Sequence, residues 1–119
     1  MYKIIENYFS HKDERGQIFG IINEGDWKEA NFVQTNKGAK RGGHYHKITR
    51  ELFYIIDGEI QVHLENIKTQ KTVDFKLKKG DICIIEPYTN HLFEAINNSQ
   101  WINMLSVKMD KEHPDIYIP

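Results

Sequence analysis

Four side chains near the middle of the chain could together hold a metal ion. His44 and His46 are two residues apart, Glu51 follows shortly after, and His91 lies well downstream. In an extended strand residues i and i+2 point to the same face, so both imidazoles can reach one ion. Three imidazoles and one carboxylate form a ligand set that suits divalent Zn, Fe, Ni, Mn or Co. We therefore predict one bound transition metal, of unspecified identity.

The strands that must carry these ligands are visible in the sequence. Short apolar or alternating runs are separated by Gly, Asn and Lys turns, and no segment shows a convincing helical period. Apolar and polar residues alternate most clearly at 60–64 and 73–77. This predicts two strands with one solvent-exposed face, called the wet face below. The strands are expected at 2–6, 17–22, 30–35, 40–46, 51–57, 59–65, 71–77, 82–86, 91–97 and 101–108. This pattern predicts an all-β barrel or sandwich.

The spacing of the ligands resembles the two motifs of the cupin superfamily. The first motif is matched at every fixed position, by Gly38, His44, His46, Glu51 and Gly58. The second is approximated by Gly80, Asp81, Pro87 and His91. Pro87 stands one residue later than usual, and Ala95 replaces a common asparagine. The resemblance implies a jelly-roll-like cupin barrel that binds a metal through the three histidines and Glu51.

Length and composition set further bounds. With 119 residues, 39% hydrophobic residues and a net charge of −1, the sequence predicts one domain spanning 1–119. No excess of positive charge points to nucleic acid, and no apolar run is long enough to cross a membrane. The first residues lack the pattern of a signal peptide, so a cytoplasmic location is expected. The lone Cys83 lies in an apolar run and is predicted to be a buried, unreactive thiol.

Two further segments resemble cupins that act on nucleotide-linked sugars. Asp13-Glu14-Arg15-Gly16 is similar to a D-x-R-G motif of these proteins, although the same residues also suit an ordinary turn. The stretch 41–46 is similar to the R-G-x-H-x-H of 3,4-ketoisomerases and capsular polysaccharide cupins. Glu51 agrees better with the metal-containing capsular type, because the ketoisomerases commonly carry glutamine near that position. The resemblance implies a small cupin of nucleotide-sugar or capsular polysaccharide biosynthesis.

Basic residues flank the predicted metal strand. No acidic residue lies between Ala30 and Arg50, whereas this interval contains Lys37, Lys40, Arg41, Lys47 and Arg50. Arg41 is the strongest candidate for substrate binding, because its planar guanidinium can hold a phosphate through two hydrogen bonds. Side chains two and four positions after an inward-facing residue of a strand share its face. If Glu51 and His91 face inward, an apolar lining is therefore predicted from Phe53, Ile55, Phe93 and Ala95.

Such a site suits proton transfer beside a carbonyl. In a 4-keto sugar the adjacent C–H is weakly acidic, and a Lewis acid can stabilise the enolate that its loss creates. Tyr88, in the loop before His91, is a candidate base, and without an ion His44 or His46 could serve. We therefore predict an isomerase or epimerase of a nucleotide-linked sugar. The alternatives are a non-catalytic small-ligand-binding cupin and a metal-dependent dioxygenase.

The predicted assembly is a homodimer. The runs at 52–56 and 82–85 are apolar on both faces, so each needs a cover on the side away from the barrel interior. A second subunit could supply it.

Overall fold

Eleven β-strands and no helix make up the chain. The computed structural model describes all residues from 1 to 119. The strands are β1 (Tyr2–Ile5), β2 (Ser10–Asp13), β3 (Gly16–Phe19), β4 (Glu29–Thr35), β5 (Lys40–His44), β6 (Glu51–Asp57), β7 (Glu59–Asn66), β8 (Thr72–Lys78), β9 (Ile82–Ile85), β10 (Thr89–Ala95) and β11 (Ser99–Leu105). No helix is therefore long and apolar enough to cross a membrane.

Two antiparallel sheets enclose the core. The larger has the order β1-β9-β6-β11-β4, and the smaller has the order β5-β10-β7-β8. The main hydrophobic cluster takes Phe53 and Ile55 from the first sheet and Val62 and Phe93 from the second, so it fills the space between them. The prediction of an all-β, cupin-type barrel is confirmed.

The strand predictions agree with the structure except near the N-terminus. Each predicted strand overlaps one observed strand, but β2 was missed, because its polar sequence SHKD carries no alternation. β2 pairs with β3 in a separate two-stranded hairpin outside both sheets. The D-x-R-G segment forms the turn of this hairpin, where the Asp13 carboxylate accepts a hydrogen bond from the Arg15 backbone N–H at 2.9 Å. The turn interpretation of this motif therefore describes its structure here.

Alternation on β7 and β8 follows the predicted pattern. Ile60, Val62 and Leu64 are fully buried, while the residues between them are partly exposed. His63 lies on the wet face and pairs with Asp74 on β8, with 2.7 Å between Nδ1 and Oδ1.

Both faces of β6 and β9 are covered, and the chain itself supplies much of the outer cover. Leu52, Ile82 and Ile84 form a second buried cluster on the face away from the barrel interior. Ile21, Ile22 and Trp27, from the segment between β3 and β4, pack against this cluster. The chain itself thus covers part of this outer face. Cys83 is buried as predicted, and burial together with nearby Asp81 raises the pKa of its thiol to about 12.

Candidate metal centre and its cavity

A bulge in β5 brings the first histidine opposite the last. β10 pairs His91 with His44 and Leu92 with Gly42, so the register shifts by one residue between these pairs. Gly42 has φ +96°, and a Cβ there would overlap the His91 carbonyl oxygen. Only glycine allows this close approach together with a positive φ. The glycine pair before His44 therefore belongs to the geometry of the site.

The four predicted ligands meet at one end of the barrel interior. His44 lies at the end of β5, His46 in the connection that follows, Glu51 at the start of β6 and His91 on β10. One potential ligand atom from each side chain falls within 4.8 Å of the others. His46, Glu51 and His91 are buried, whereas His44 is partly exposed. The sequence thus identified the complete cluster.

Ion pairing offsets the cost of burying this cluster. His46 Nε2 contacts Glu51 Oε1 directly, and His91 Nε2 lies 3.7 Å from the same oxygen. Burial favours the neutral forms of His46 and Glu51, but their mutual contact outweighs burial. It raises the pKa of His46 and lowers the pKa of Glu51.

The other two histidines are held neutral. Burial lowers the pKa of His91, partly against the attraction of Glu51. Burial and the neighbouring imidazoles lower the pKa of His44 to about 4. At neutral pH both rings therefore offer a lone pair, which is the form that ligates a metal or accepts a proton.

Neighbouring groups orient the ligands. Asn103 Nδ2 on β11 donates a hydrogen bond to Glu51 Oε2 at 3.0 Å. His91 Nδ1 donates to the Thr89 carbonyl at 3.1 Å, and His46 Nδ1 donates to the Asp115 carbonyl at 2.5 Å. Metal-binding histidines usually make such a bond with the nitrogen that faces away from the metal. The donor set, its spacing and these outer contacts therefore fit a divalent transition metal.

The cluster opens into a cavity of about 280 Å³. One wall is apolar and includes the predicted Phe53 and Phe93 together with Trp101, which packs on Phe93 with 5.9 Å between ring centroids. Ile55 and Ala95 also point inward but lie deeper, in the closed core. The cavity is lined by Glu29, Asn31, Val33, Arg41, Gly42, His44, His46, Glu51, Phe53, His91, Phe93, Trp101, Asn103, Leu105, Met109 and Ile116.

Arg41 is the one basic residue of the predicted stretch that lines this cavity. Its Nε donates to Thr35 Oγ1 at 2.8 Å and its Nη2 donates to the Gln34 carbonyl at 2.9 Å. These bonds hold the guanidinium at the cavity edge. Arg50 instead faces away and pairs with Glu86, with 3.0 Å between Nε and Oε2.

Glu29 adds a carboxylate that sequence reasoning missed. It begins β4 and lies in the cavity lining, where Asn31 Nδ2 donates to its Oε2 at 2.9 Å and the Met109 backbone N–H donates to its Oε1 at 3.1 Å. These two hydrogen bonds, that of Asn31 first, lower the pKa of Glu29. No sequence motif marks the residue, because its position depends on the pairing of β4 with β11.

Tyr88 lies outside the cavity lining. Its φ of +61° turns the ring toward Tyr45, with centroids 6.2 Å apart, and Lys68 Nζ lies 4.0 Å from the ring centroid. Tyr54 and Glu94 alternate with the inward-facing residues of β6 and β10 and are also absent from the lining.

Comparison with known families identifies the chain. The family described as "Polysaccharide biosynthesis C-terminal domain" matches residues 11–117. The chain belongs to this family. A relative from Pseudomonas aeruginosa, "UDP-2-acetamido-2,6-beta-L-arabino-hexul-4-ose reductase", is 28% identical over 111 residues. The match covers 90% of this chain and 30% of the reductase, so this polysaccharide biosynthesis C-terminal domain spans less than a third of that relative.

Solved structures share the fold. A 3,4-ketoisomerase from Helicobacter canadensis superposes with a TM-score of 0.83 at 18% identity, covering 99% of this chain and 90% of the other. A dTDP-4-dehydrorhamnose 3,5-epimerase from Sulfolobus tokodaii superposes with a TM-score of 0.80 at 19% identity, covering 93% and 73%. These structures confirm the predicted cupin-type fold, and the family match confirms the predicted link to polysaccharide biosynthesis.

Proposed function

We propose that this chain is a metal-dependent isomerase or epimerase that moves a proton beside the carbonyl of a nucleotide-linked 4-keto sugar. The observation that supports this most is the cluster of His44, His46, Glu51 and His91 at the inner end of a small cavity edged by Arg41. The Pseudomonas relative is named for a UDP-linked 4-ketose, which provides a substrate class of matching chemistry.

The cavity volume suits the sugar part of such a substrate. About 280 Å³ lies just below the usual range for small-molecule pockets, so the nucleotide would extend out of the mouth. Arg41 would bind the diphosphate there as a planar, always charged donor. Phe53, Phe93 and Trp101 would exclude water from one face of the sugar.

The proton transfer requires a charge stabiliser and a base. A divalent transition metal held by the four ligands would supply a Lewis acid for the enolate oxygen. Glu29 is the proposed base, because it is the cavity's second carboxylate and its two hydrogen bonds keep it ionised and oriented. In the protein without an ion, neutral His44 is the alternative base, whereas contact with Glu51 raises the pKa of His46 and so disfavours this second candidate. Tyr88 could take part only if its loop rearranged toward the cavity.

Exchange of sugar protons with solvent tests this proposal. The metal-loaded protein would be mixed in heavy water with UDP- and dTDP-linked 4-keto-6-deoxy sugars, including the 2-acetamido form, and followed by NMR. We expect deuterium to enter beside the carbonyl, and a chelator to slow this exchange at least tenfold. The configuration of the product separates epimerisation from ketoisomerisation.

Two histidine variants provide the matched comparison. His46→Ala should abolish the exchange, whereas His63→Ala, on the wet face of β7, should exchange as the wild type does. If the folded, metal-loaded protein exchanges no sugar proton, the isomerase proposal is wrong. Saturation-transfer NMR with the same sugars would then test the non-catalytic binding alternative.

We also propose that two copies associate through the outer apolar surface near the N-terminus. A groove there is lined almost entirely by apolar residues, among them Phe9, Phe19 and Ile22. The β2–β3 hairpin pairs with neither large sheet, and isolated hairpins are marginally stable in water. A second copy of the chain would cover both the apolar groove and the hairpin. Sedimentation at micromolar concentration should show a dimer, and a purely monomeric species would contradict it.

A further inference from the structure

The segment after β11 folds back over the candidate metal centre. Tyr117 forms an isolated bridge with Tyr45, in which each backbone N–H donates to the other residue's carbonyl at 2.9 and 3.0 Å. Met109 and Ile116 line the cavity. We call residues 109–117 the C-terminal strap. The strap therefore closes one side of the same cavity that the histidines occupy.

Asp115 is the main anchor of the strap. Its Oδ1 accepts from the Lys47 backbone N–H at 3.0 Å, and its Oδ2 accepts from the backbone N–H of Ile48 and Thr49 at 3.0 and 2.9 Å. The Thr49 hydroxyl donates to the same Oδ2 at 2.8 Å. One carboxylate thus receives four hydrogen bonds from the connection between β5 and β6, which is the connection that carries His46.

The backbone of the same residue determines which nitrogen of His46 faces the cluster. A carbonyl oxygen can only accept, so the bond of 2.5 Å to the Asp115 carbonyl requires the hydrogen to be on Nδ1. Nε2 is then the atom that contacts Glu51. A neutral His46 in this tautomer points its lone pair toward the other ligands, as metal ligation requires.

We propose that Asp115 is a positioning residue, which acts through His46 by fixing its ring orientation and tautomer. The inference rests on the proposed metal site and deepens it, because it makes the C-terminal strap part of the binding machinery. The two groups of Asp115 serve different purposes. The carboxylate immobilises the connection between β5 and β6, and the backbone carbonyl selects which nitrogen of His46 carries the hydrogen. A strap that merely protected the edge of β5 would need the Tyr117 bridge but not the bond to His46.

Cobalt binding by matched variants tests the inference. Asp115→Ala should weaken the affinity for Co²⁺ by about 10- to 100-fold, the range found for groups that orient metal ligands. Asp115→Asn retains one acceptor oxygen and should show a smaller loss. Asp110→Ala is the control, because Asp110 caps its own turn through the Glu112 and His113 backbone N–H groups and has no contact with the cluster. The control should bind Co²⁺ as the wild type does.

A second readout needs no metal. The ¹⁵N shifts of the His46 ring, measured in the metal-free protein at a pH where the ring is neutral, should show hydrogen on Nδ1 in the wild type. They should show a mixture of tautomers in Asp115→Ala, because without the carboxylate contacts the backbone carbonyl of residue 115 is no longer held against the ring. If the wild type binds no cobalt, the proposed metal function is wrong, while these shifts still test the role of Asp115.

The inference is overturned if the folded Asp115→Ala protein keeps both the wild-type cobalt affinity and the wild-type His46 shifts. If that variant does not fold, the cobalt affinity of Asp115→Asn tests the positioning role instead. Weaker cobalt binding than in Asp110→Ala supports the positioning role, and equal binding contradicts it.

Discussion

The two ends of the barrel interior have opposite chemistry, although the same strands build both. At one end β6 and β10 contribute Glu51 and His91, and at the other end they contribute Ile55 and Ala95. All four side chains are buried. The apolar end gains stability from packing, whereas the polar end needs a partner for every charge it buries. The difference is the one expected if the deep core maintains the fold and the other end binds the ligand proposed above.

The largest loss of stability is expected where the apolar core forms the wall of the cavity. Phe93 is 2% exposed, and its ring centroid lies 4.6 Å from that of Phe53. Phe93→Ala should lower the free energy of unfolding by about 3–5 kcal/mol, since it removes transfer energy and leaves a cavity. Urea denaturation measures this. Phe32→Ala, at a 58% exposed position, should change it by less than about 0.5 kcal/mol. Equal losses of unfolding free energy in Phe93→Ala and Phe32→Ala would contradict the stabilising role of the apolar core.

At the polar end the largest effect is expected on metal binding. Glu51→Gln preserves the side chain's size but removes the charge that the histidines face. The affinity for Co²⁺ should fall by more than about 100-fold, since groups that only orient a ligand already contribute 10- to 100-fold. Calorimetric titration would measure it. Glu59→Gln, at the start of β7 and paired only with Lys76, serves as control. Unchanged binding by Glu51→Gln would contradict the assignment of this ligand.

A smaller effect is expected from the bulge that joins the ends of β5 and β10. Gly42→Ala would drive a Cβ into the His91 carbonyl oxygen, at φ +96°. We expect a loss of about 1–3 kcal/mol in unfolding free energy. Gly43 has φ +78°, but a Cβ there would meet no heavy atom within 4 Å, so Gly43→Ala should cost about 1 kcal/mol from strain alone. Thermal denaturation would separate the two, and a larger loss for Gly43→Ala would refute the contact argument.

The smallest effect is expected on the wet face. His63 and Asp74 are 43% and 62% exposed at the side chain, and exposed ion pairs contribute little. His63→Ala should change the unfolding free energy by less than about 0.5 kcal/mol. It should also leave cobalt binding unchanged. A loss of about 2 kcal/mol or more in urea denaturation would contradict this. It would show that burial does not predict which histidines of this chain contribute to stability.

The sequence predicted the strands and the four side chains that cluster, for a physical reason. Side chains on a strand alternate, so His44, Glu51 and His91 fix the inward faces of their own strands. The predicted inward positions of Phe53 and Phe93 followed from the same rule and are confirmed. These features depend only on local spacing along each strand.

The features that sequence reasoning missed all depend on contacts between distant segments. Glu29 reaches the cavity because β4 and β11 pair in one particular register, which no local pattern specifies. Asp115 reaches the connection after β5 through a fold-back of the C-terminal strap. Tyr88 was placed near the mouth from its neighbourhood in sequence, but its positive φ directs the ring elsewhere.

The candidate ligands span the seam between the two sheets. Glu51 belongs to the five-stranded sheet, while His44 and His91 belong to the four-stranded sheet. An ion bound by all of them would act as a cross-link between the layers and close a loop of the chain, as a disulfide does in other small domains. A ligand that binds only the folded state stabilises it by mass action. The folded state would thus become more stable as the concentration of free metal rises.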